Sequence, residues 1–474
     1  MDGDGRDLCG LDAVTLAGLL RTAQVSAREV VAAHIAQVER VDGTVNALVT
    51  RTFERALERA RAADDALAAG AAPGLLHGLP VAHKDLAETA GVRTTYGSPL
   101  FADHVPDADA LHVARMRVAG AICLGKTNTP EFGAGSQTFN TLFGATRNPF
   151  DPTRTAGGSS GGAAAALAAR EVALADGSDM GGSLRNPASF CNVVGLRPSA
   201  GLVPSWPVAD TWSPLAVVGP MGRTVADTAL LLAALSGPDP RVPLALAAPA
   251  GPPEPLTDPA GLPALLSGDL RGVRVAVSPD LGGLPVDRRV RDALAGAPAV
   301  FERLGATVLD TEPDLSGADE VFRVERAFAY ALAFETLVAD HRDRVKDTVV
   351  WNVEQGLAQT SADLRRATRL RTALTARLAG FFADVDVLAC PVSQVPPFDV
   401  ETEWVTEIDG VPMPTYIDWM ASACRISVTG CPAVSVPAGF TGDGLPVGLQ
   451  LVGRPRGDWD LLRVAHAFER AAGA

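Results

Sequence analysis

The sequence predicts an α/β protein built on a large sheet. Three observations point there: a helix-forming segment over about residues 11–70, short apolar runs bounded by glycine and proline, and helix-like segments set between those runs. Strands that alternate with helices need a sheet whose faces the helices cover. In the first segment, "VSAREVVAAHIAQVERV" begins at Ser26 with Glu29 three residues on, the spacing of a capping box. Val30, Ile35, Val38 and Val41 then fall on one helical face. "TFERALERARAADDALAAG" continues with strong helix formers and stops at Gly70. Beyond it, "LPVAH" and "AGAICLG" read as apolar strands, with "DALHVARMRVAG" as a helix. "LRGVRVAVSPD" reads as a strand and "RRVRDALAGAPAVFERLGATVLD" as helix then strand. The tail "CPAVSVPAGFTGDGLPVGLQLVGR" reads as two strands joined through a Gly/Pro loop. Residues 236–265 are too proline-rich for a helix or strand interior. They read equally as a domain linker and as a surface excursion within one domain.

Composition narrows the class. The chain has 474 residues, 47% of them hydrophobic and 20% charged, which is ample for a globular core. A net charge of −14 argues against a nucleic-acid surface, because phosphate contacts need clustered Lys and Arg. Six cysteines (Cys9, Cys123, Cys191, Cys390, Cys424, Cys431) are scattered with no C-x-x-C pair, so they read as reduced, mostly buried thiols. Seven histidines form no metal-ligand spacing, and no metal site is expected. The acidic start "MDGDGRDLCGLD" has no signal-peptide pattern. No run reaches the ~18 apolar residues of a membrane span. The expectation is a cytoplasmic protein.

The stretch "RTAGGSSGGAAAALAAR", residues 154–170, admits three chemistries. A flexible spacer is one, but this stretch runs straight into a helix former, where a glycine turn aims free N–H groups at whatever lies above it. A phosphate cradle is the second. "GAICLGKT", residues 120–127, matches the P-loop pattern by letter, yet its four intervening residues are apolar and read as a strand. Lys126 is then expected in a solvated turn. The third is a nucleophile. "GGSSG" fits a nucleophile elbow centred on Ser159, which needs a downstream His, and only His341 and His466 are available. His466 lies in an amphipathic helix pattern, so a His-dependent esterase is weakly supported. A second serine offers another route. Ser183 follows another Gly-Gly pair, 24 residues beyond Ser159, and Lys84 ends an apolar run. Burial favours a neutral lysine, which is a recognised substitute for His as the base of a serine nucleophile.

At these residues the sequence resembles the amidase signature family. "GLPVAHKDL", "AGAICLGKTNTPEF", "GGSSGG", "GSDMGGSLRNPASFCNVVGLRPSAGLVP" and "GCPAVSVPAGFTGDGLPVGLQLVGR" follow the family's order and spacing across nearly the whole chain. The resemblance implies one amidase domain over 1–474, with a large mixed central sheet covered by helices on both faces. It implies Ser183 as nucleophile, Lys84 as base and Ser159 as bridging serine, joined to Gly158 by a cis peptide bond; the spacing selects Ser159 over Ser160. It places Met180, Gly181, Gly182 and Ser183 around the oxyanion, with Asp179 and Arg185 supporting the loop. The implied reaction is acyl transfer from a small carboxamide, with anilide, ester or carbamate also within the family's range and no cofactor. The family's other major role is the glutamine-using subunit of a tRNA-dependent amidotransferase, which works with partner chains; a homodimer is also compatible. Three positions depart from the pattern. Ser427 replaces a common asparagine, which weakens the glutamine-using role, and Arg170 and Asp176 stand where glycines are usual. Trp206, Trp212, Trp404 and Trp419 lie in loop-like segments and are candidates to line an acyl or amine pocket.

Overall fold

Apolar residues that alternate along a strand can serve two cores at once, and the central sheet of this protein is built that way. A computed structural model describes residues 7–246 and 256–473. Its strands are β1 (Leu48–Arg51), β2 (Pro80–Lys84), β3 (Ile122–Thr127), β4 (Phe139–Asn140), β5 (Gly144–Ala145), β6 (Leu174–Asp179), β7 (Val194–Arg197) and β8 (Val217–Gly222). They continue with β9 (Arg274–Val277), β10 (Thr307–Leu309), β11 (Val387–Pro391), β12 (Glu407–Ile408), β13 (Val411–Pro412), β14 (Ala433–Phe440) and β15 (Pro446–Gly453). Eleven of them form one sheet in the order β1-β3-β2-β6-β8-β7-β14-β15-β11-β9-β10. Parallel pairs at β3-β2-β6 and β11-β9-β10 flank antiparallel ones, so the sheet is mixed, as expected.

In β11, Val387 and Ala389 join one apolar cluster, while Leu388 and Cys390 join the other. The first cluster is closed by helices Ala13–Arg21, Ala27–Val45, Gly161–Ala168, Val225–Leu235 and Asp458–Ala472. The second is closed by helices Ala318–His341, Ser361–Asp384 and Ala421–Ser427. Period-two alternation with apolar residues on both sides requires this two-faced cover.

The N-terminal segment follows its sequence signals with one exception. Ser26 and Glu29 form both halves of the capping box. The helical stretch is broken by the four-residue β1, whose Leu48, Thr50 and Arg51 pair antiparallel with β3. So short a strand carries too little period-two pattern to stand out between two helices. The strands expected in "LPVAH", "AGAICLG", "LRGVRVAVSPD" and the tail are β2, β3, β9, and β14 with β15. In the proline-rich stretch, residues 247–255 lie outside the described residues. Strands from before and after that stretch share the one sheet. Among the described residues, no helix is long and apolar enough to cross a membrane.

Candidate active site

Strand β2 is buried along its whole length and ends at Lys84, whose side chain is 2% exposed. Burial is the largest influence on this amine and pulls it from 10.5 down to about 7; the charges of Asp179 and Asp176 pull the other way. Its Nζ lies 2.7 Å from Ser159 Oγ, 3.0 Å from Ser160 Oγ and 3.1 Å from Ser178 Oγ. A neutral amine has two protons and one lone pair, so three hydroxyl neighbours satisfy it with no carboxylate partner.

The glycine-serine stretch forms the other side of this contact. The Gly158–Ser159 peptide bond is cis. Ser136 Oγ donates to Gly158 O at 2.8 Å, and Asn186 Nδ2 donates to Ser136 Oγ at 2.9 Å. Helix Gly161–Ala168 starts immediately after, and its first two residues are packed so closely that a Cβ does not fit there. A Cβ on Gly162 would stand 2.3 Å from Asn128 N and 2.7 Å from Asn128 O, both backbone atoms. Alanine normally gains about 1 kcal/mol over glycine inside a helix, but overpacking against backbone costs up to ~3 kcal/mol or more. Gly162→Ala is therefore expected to lower stability by about 2 kcal/mol or more in denaturant titration; an unchanged or raised midpoint contradicts the close approach.

After β6 the chain turns through Met180–Gly181–Gly182–Ser183 around the buried carboxylate of Asp179. Arg185 donates to both carboxylate oxygens at 2.9 Å, and Arg197 Nη1 donates to Oδ1 at 3.2 Å. Burial opposes the charge on Asp179, yet Arg185 and Arg197 outweigh it and hold the carboxyl far below the usual range. Asp179 also accepts the N–H groups of Gly182 (3.0 Å) and Leu184 (3.2 Å). The Gly182 N–H is thus given to Asp179. Those of Met180, Gly181 and Ser183 have no acceptor among the described residues. Ser160 N donates to Ser183 O at 3.2 Å, which ties the two serine loops together.

A cavity of about 610 Å³ opens over these loops, lined by Ser159, Ser178, Asp179, Met180 and Ser183 at its floor. Its walls carry Phe132, Phe328, Tyr330, Leu332, Phe334 and Trp212. Leu332 and Trp212 are 50% and 66% exposed, so apolar surface is presented toward an entering molecule. Arg326 also lines the cavity, buried, with its guanidinium on the hydroxyls of Tyr416 (2.7 Å) and Tyr330 (3.1 Å). No carboxylate pairs with it among the described residues.

The sequence-predicted residues meet unevenly. Lys84 and Ser159 are in contact, and Ser183 shares their cavity; among the described residues its hydroxyl makes no hydrogen bond to Ser159. Of the four tryptophans, Trp212 lines the cavity. Trp419 is buried against Phe398, Trp404 borders a separate small pocket, and Trp206 lies under the Arg241 guanidinium. Neither His341 nor His466 lines the cavity; His466 Nδ1 faces Glu469 on its own helix. Lys126 is a correction. It is fully buried at the β3 end, with Nζ donating to Ala87 O and, at 2.8 Å, to Thr89 Oγ1. Strand β3 lies inside the sheet, between β1 and β2, and that position keeps water away from a residue that a lone pattern places in a turn.

Sequence reasoning missed Ser178, Arg197, Arg326 and Gln450, which accepts from Arg185 at 2.5 Å. Only the partners reveal them, because each touches at least one residue remote from it in sequence. The departures find local roles. Ser427 Oγ accepts from Arg185 at 2.7 Å, Arg170 adopts a left-handed φ of 61°, and Asp176 accepts the Lys84 N–H at 2.9 Å while pairing with His83. Among the described residues no group of three or more His, Cys, Asp or Glu is placed to hold a metal.

Comparisons with known proteins agree with this fold. The Amidase family model matches residues 29–462. The chain is 36% identical to a glutamyl-tRNA(Gln) amidotransferase subunit from Thermosynechococcus vestitus, over 94% of each chain. It is 35% identical to an acylamidase from Rhodococcus erythropolis, covering 98% of this chain and 96% of that one. Among solved structures, a bacterial aryl acylamidase of the amidase signature family superposes with a TM-score of 0.90 at 30% identity, over 97% of this chain and 96% of the other. A mixed eleven-stranded sheet, a buried lysine on paired serine loops and a family match across nearly the whole chain lead to one assignment: the chain belongs to the amidase signature family and is an amide-hydrolysing enzyme.

Proposed function

We propose that this enzyme hydrolyses small carboxamides with an aryl or other apolar portion, through an acyl-enzyme on Ser183. The observation that carries this is the Lys84 amine, buried and 2.7 Å from Ser159 Oγ, beneath an apolar-walled cavity that also holds Ser183. Neutral Lys84 accepts the Ser159 proton as Ser159 takes that of Ser183, and Ser183 Oγ attacks the amide carbon. The oxyanion gathers N–H donors from Met180, Gly181 and Ser183, each worth ~3 kcal/mol of barrier. The proton returns along the same chain to the leaving amine, and water then releases the acid. Asp179, with Arg185 and Arg197 on its carboxylate, holds the loop that aims these donors. No cofactor or metal enters the scheme, and a cytoplasmic location belongs to the same reading.

A serine-directed fluorophosphonate followed by peptide mapping tests it. An adduct on Ser183 is expected. An adduct on Ser159 supports the esterase instead, and no adduct supports a chain whose role is assembly. A panel of anilides, aliphatic amides, aryl esters, carbamates and glutamine then ranks substrates, with anilides expected to be turned over best.

One observation favours a second reading. Among the described residues no carboxylate pairs with the cavity cation Arg326, as a substrate bearing a carboxylate, such as glutamine, needs. A charged hydrogen bond is worth about 1.5–3 kcal/mol, or roughly 10- to 100-fold. Under the aryl-amide reading, Arg326→Met leaves kcat/KM for a neutral anilide within about fivefold. A loss of roughly 10- to 100-fold confined to carboxylate-bearing amides favours the glutamine-type reading.

A further inference from the structure

We propose that Cys123, His83 and Asp176 form a second reactive site, on the sheet face opposite the Lys84 side chain, which takes a small anionic disulfide as a mixed disulfide on Cys123. Strand register assembles it. Val81 of β2 pairs with Cys123 of β3 and with Leu174 of β6. Alternation then turns His83 and Asp176, each two residues on, to the same face as Cys123, while Lys84 points the other way. His83 Nδ1 meets the Asp176 carboxylate, and both are buried. Cys123 and His83 line one pocket, and the Cys123 Sγ lies 3.5 Å from Gly125 O. A thiol, an imidazole and a carboxylate in that order form the relay of a thiol nucleophile.

The thiol is also the accessible one. Cys123 is half-buried, whereas the other five cysteines are buried. It opens with His83 onto a pocket lined by Arg55, Arg59 and Arg117. Arg117 is neutralised by Asp109 at 2.7 Å. Arg55 and Arg59, one turn apart on helix Phe53–Ala68, leave the mouth positive.

The surrounding charges support a thiolate. Burial opposes charge on His83, yet Cys123 and Asp176 raise it to about 9. Burial likewise opposes the Cys123 thiolate, and His83 with Lys126 lowers the thiol below its ordinary value. Nearby His112 is pushed by burial to about 4 and stays neutral at pH 7.

The step balances. His83 holds the proton that the thiol gives up, and the Cys123 sulfur attacks one sulfur of the disulfide. That S–S bond breaks, and the other half leaves as a thiolate. The modification reaches the amidase site by one contact, since Asp176 accepts the Lys84 backbone N–H at 2.9 Å. This coupling rests on Lys84 being the base; the labelling does not, so the two failures are separately visible.

The test treats the full chain with dithiobis(nitrobenzoate), an anionic aryl disulfide, and with neutral dipyridyl disulfide, then maps the modified peptides. Cys123 is expected to react at least ~10-fold faster than any other cysteine in the folded protein. Replacing both Arg55 and Arg59 with alanine should slow the anionic reagent ~10-fold and the neutral one by less than about twofold. Cys123→Ser should keep unmodified turnover and lose the fast phase, and turnover lost on labelling should return with dithiothreitol. Labelling first at another cysteine overturns the site, and equal slowing of both reagents overturns its preference for anions. Full turnover with Cys123 quantitatively modified overturns the coupling.

Discussion

Ser183→Ala is expected to lower kcat by about 10⁴-fold or more, because removing the nucleophile leaves only binding and the oxyanion donors to act. The fold should be unaffected. The Ser183 side chain lies outside the hydrogen bonding of its loop: Asp179 holds that loop through Gly182 N, Leu184 N and Arg185. The hydroxyl removed makes no hydrogen bond among the described residues, so a melting midpoint within a few degrees of the parent is expected. Single-turnover kinetics with an activated anilide reads the first claim and calorimetry the second. A variant that retains more than a few per cent of parental kcat removes Ser183 from the reaction.

Lys84→Met should be as inactive, and in one respect it should be improved. The Lys84 amine titrates near 7 in the folded protein against 10.5 in the open chain. Two consequences follow from that direction. For catalysis the neutral amine is the active form. kcat/KM should rise about tenfold per pH unit below 7 and level above it, and the residual rate of Lys84→Met should lose this limb. For stability, between about pH 7 and 10.5 the unfolded chain binds a proton that the folded one does not. Folding therefore strengthens as pH rises through that window, and the buried amine costs on the order of 3 kcal/mol near pH 8. Methionine has similar length and no such cost. Lys84→Met should therefore melt higher than the parent at pH 8, with the difference shrinking toward pH 10.5. A variant that is both inactive and less stable at pH 8 contradicts a neutral buried amine. An active site that opposes the stability of its own fold is the usual exchange of stability for reactivity.

The two predictions depend on different kinds of information. Ser183, Ser159 and Lys84 stood out in the sequence as candidates because each carries a local mark: paired glycines before a serine, or a charge ending an apolar strand. The helix caps at Ser26 and the strands of the C-terminal pair were legible for the same reason. Capping and alternation are set by residues a few positions apart. The loop glycines also announced themselves, although why Gly162 cannot be anything else needed the Asn128 backbone beside it.

What the chain alone determined, then, is the alternation of strands and helices, the class of chemistry and the candidates for the reacting groups. Tertiary structure decided their environment. It buried Lys126 where a pattern match suggested a turn, and it gave the Gly182 N–H to Asp179. It brought Arg326 into the cavity from a helix more than a hundred residues away, and it set His83 and Asp176 behind Lys84. The physical reason is that burial, charge pairing and register are properties of neighbours in space. At β7 and β14 the strand order joins segments more than two hundred residues apart, and no short window of sequence contains both partners.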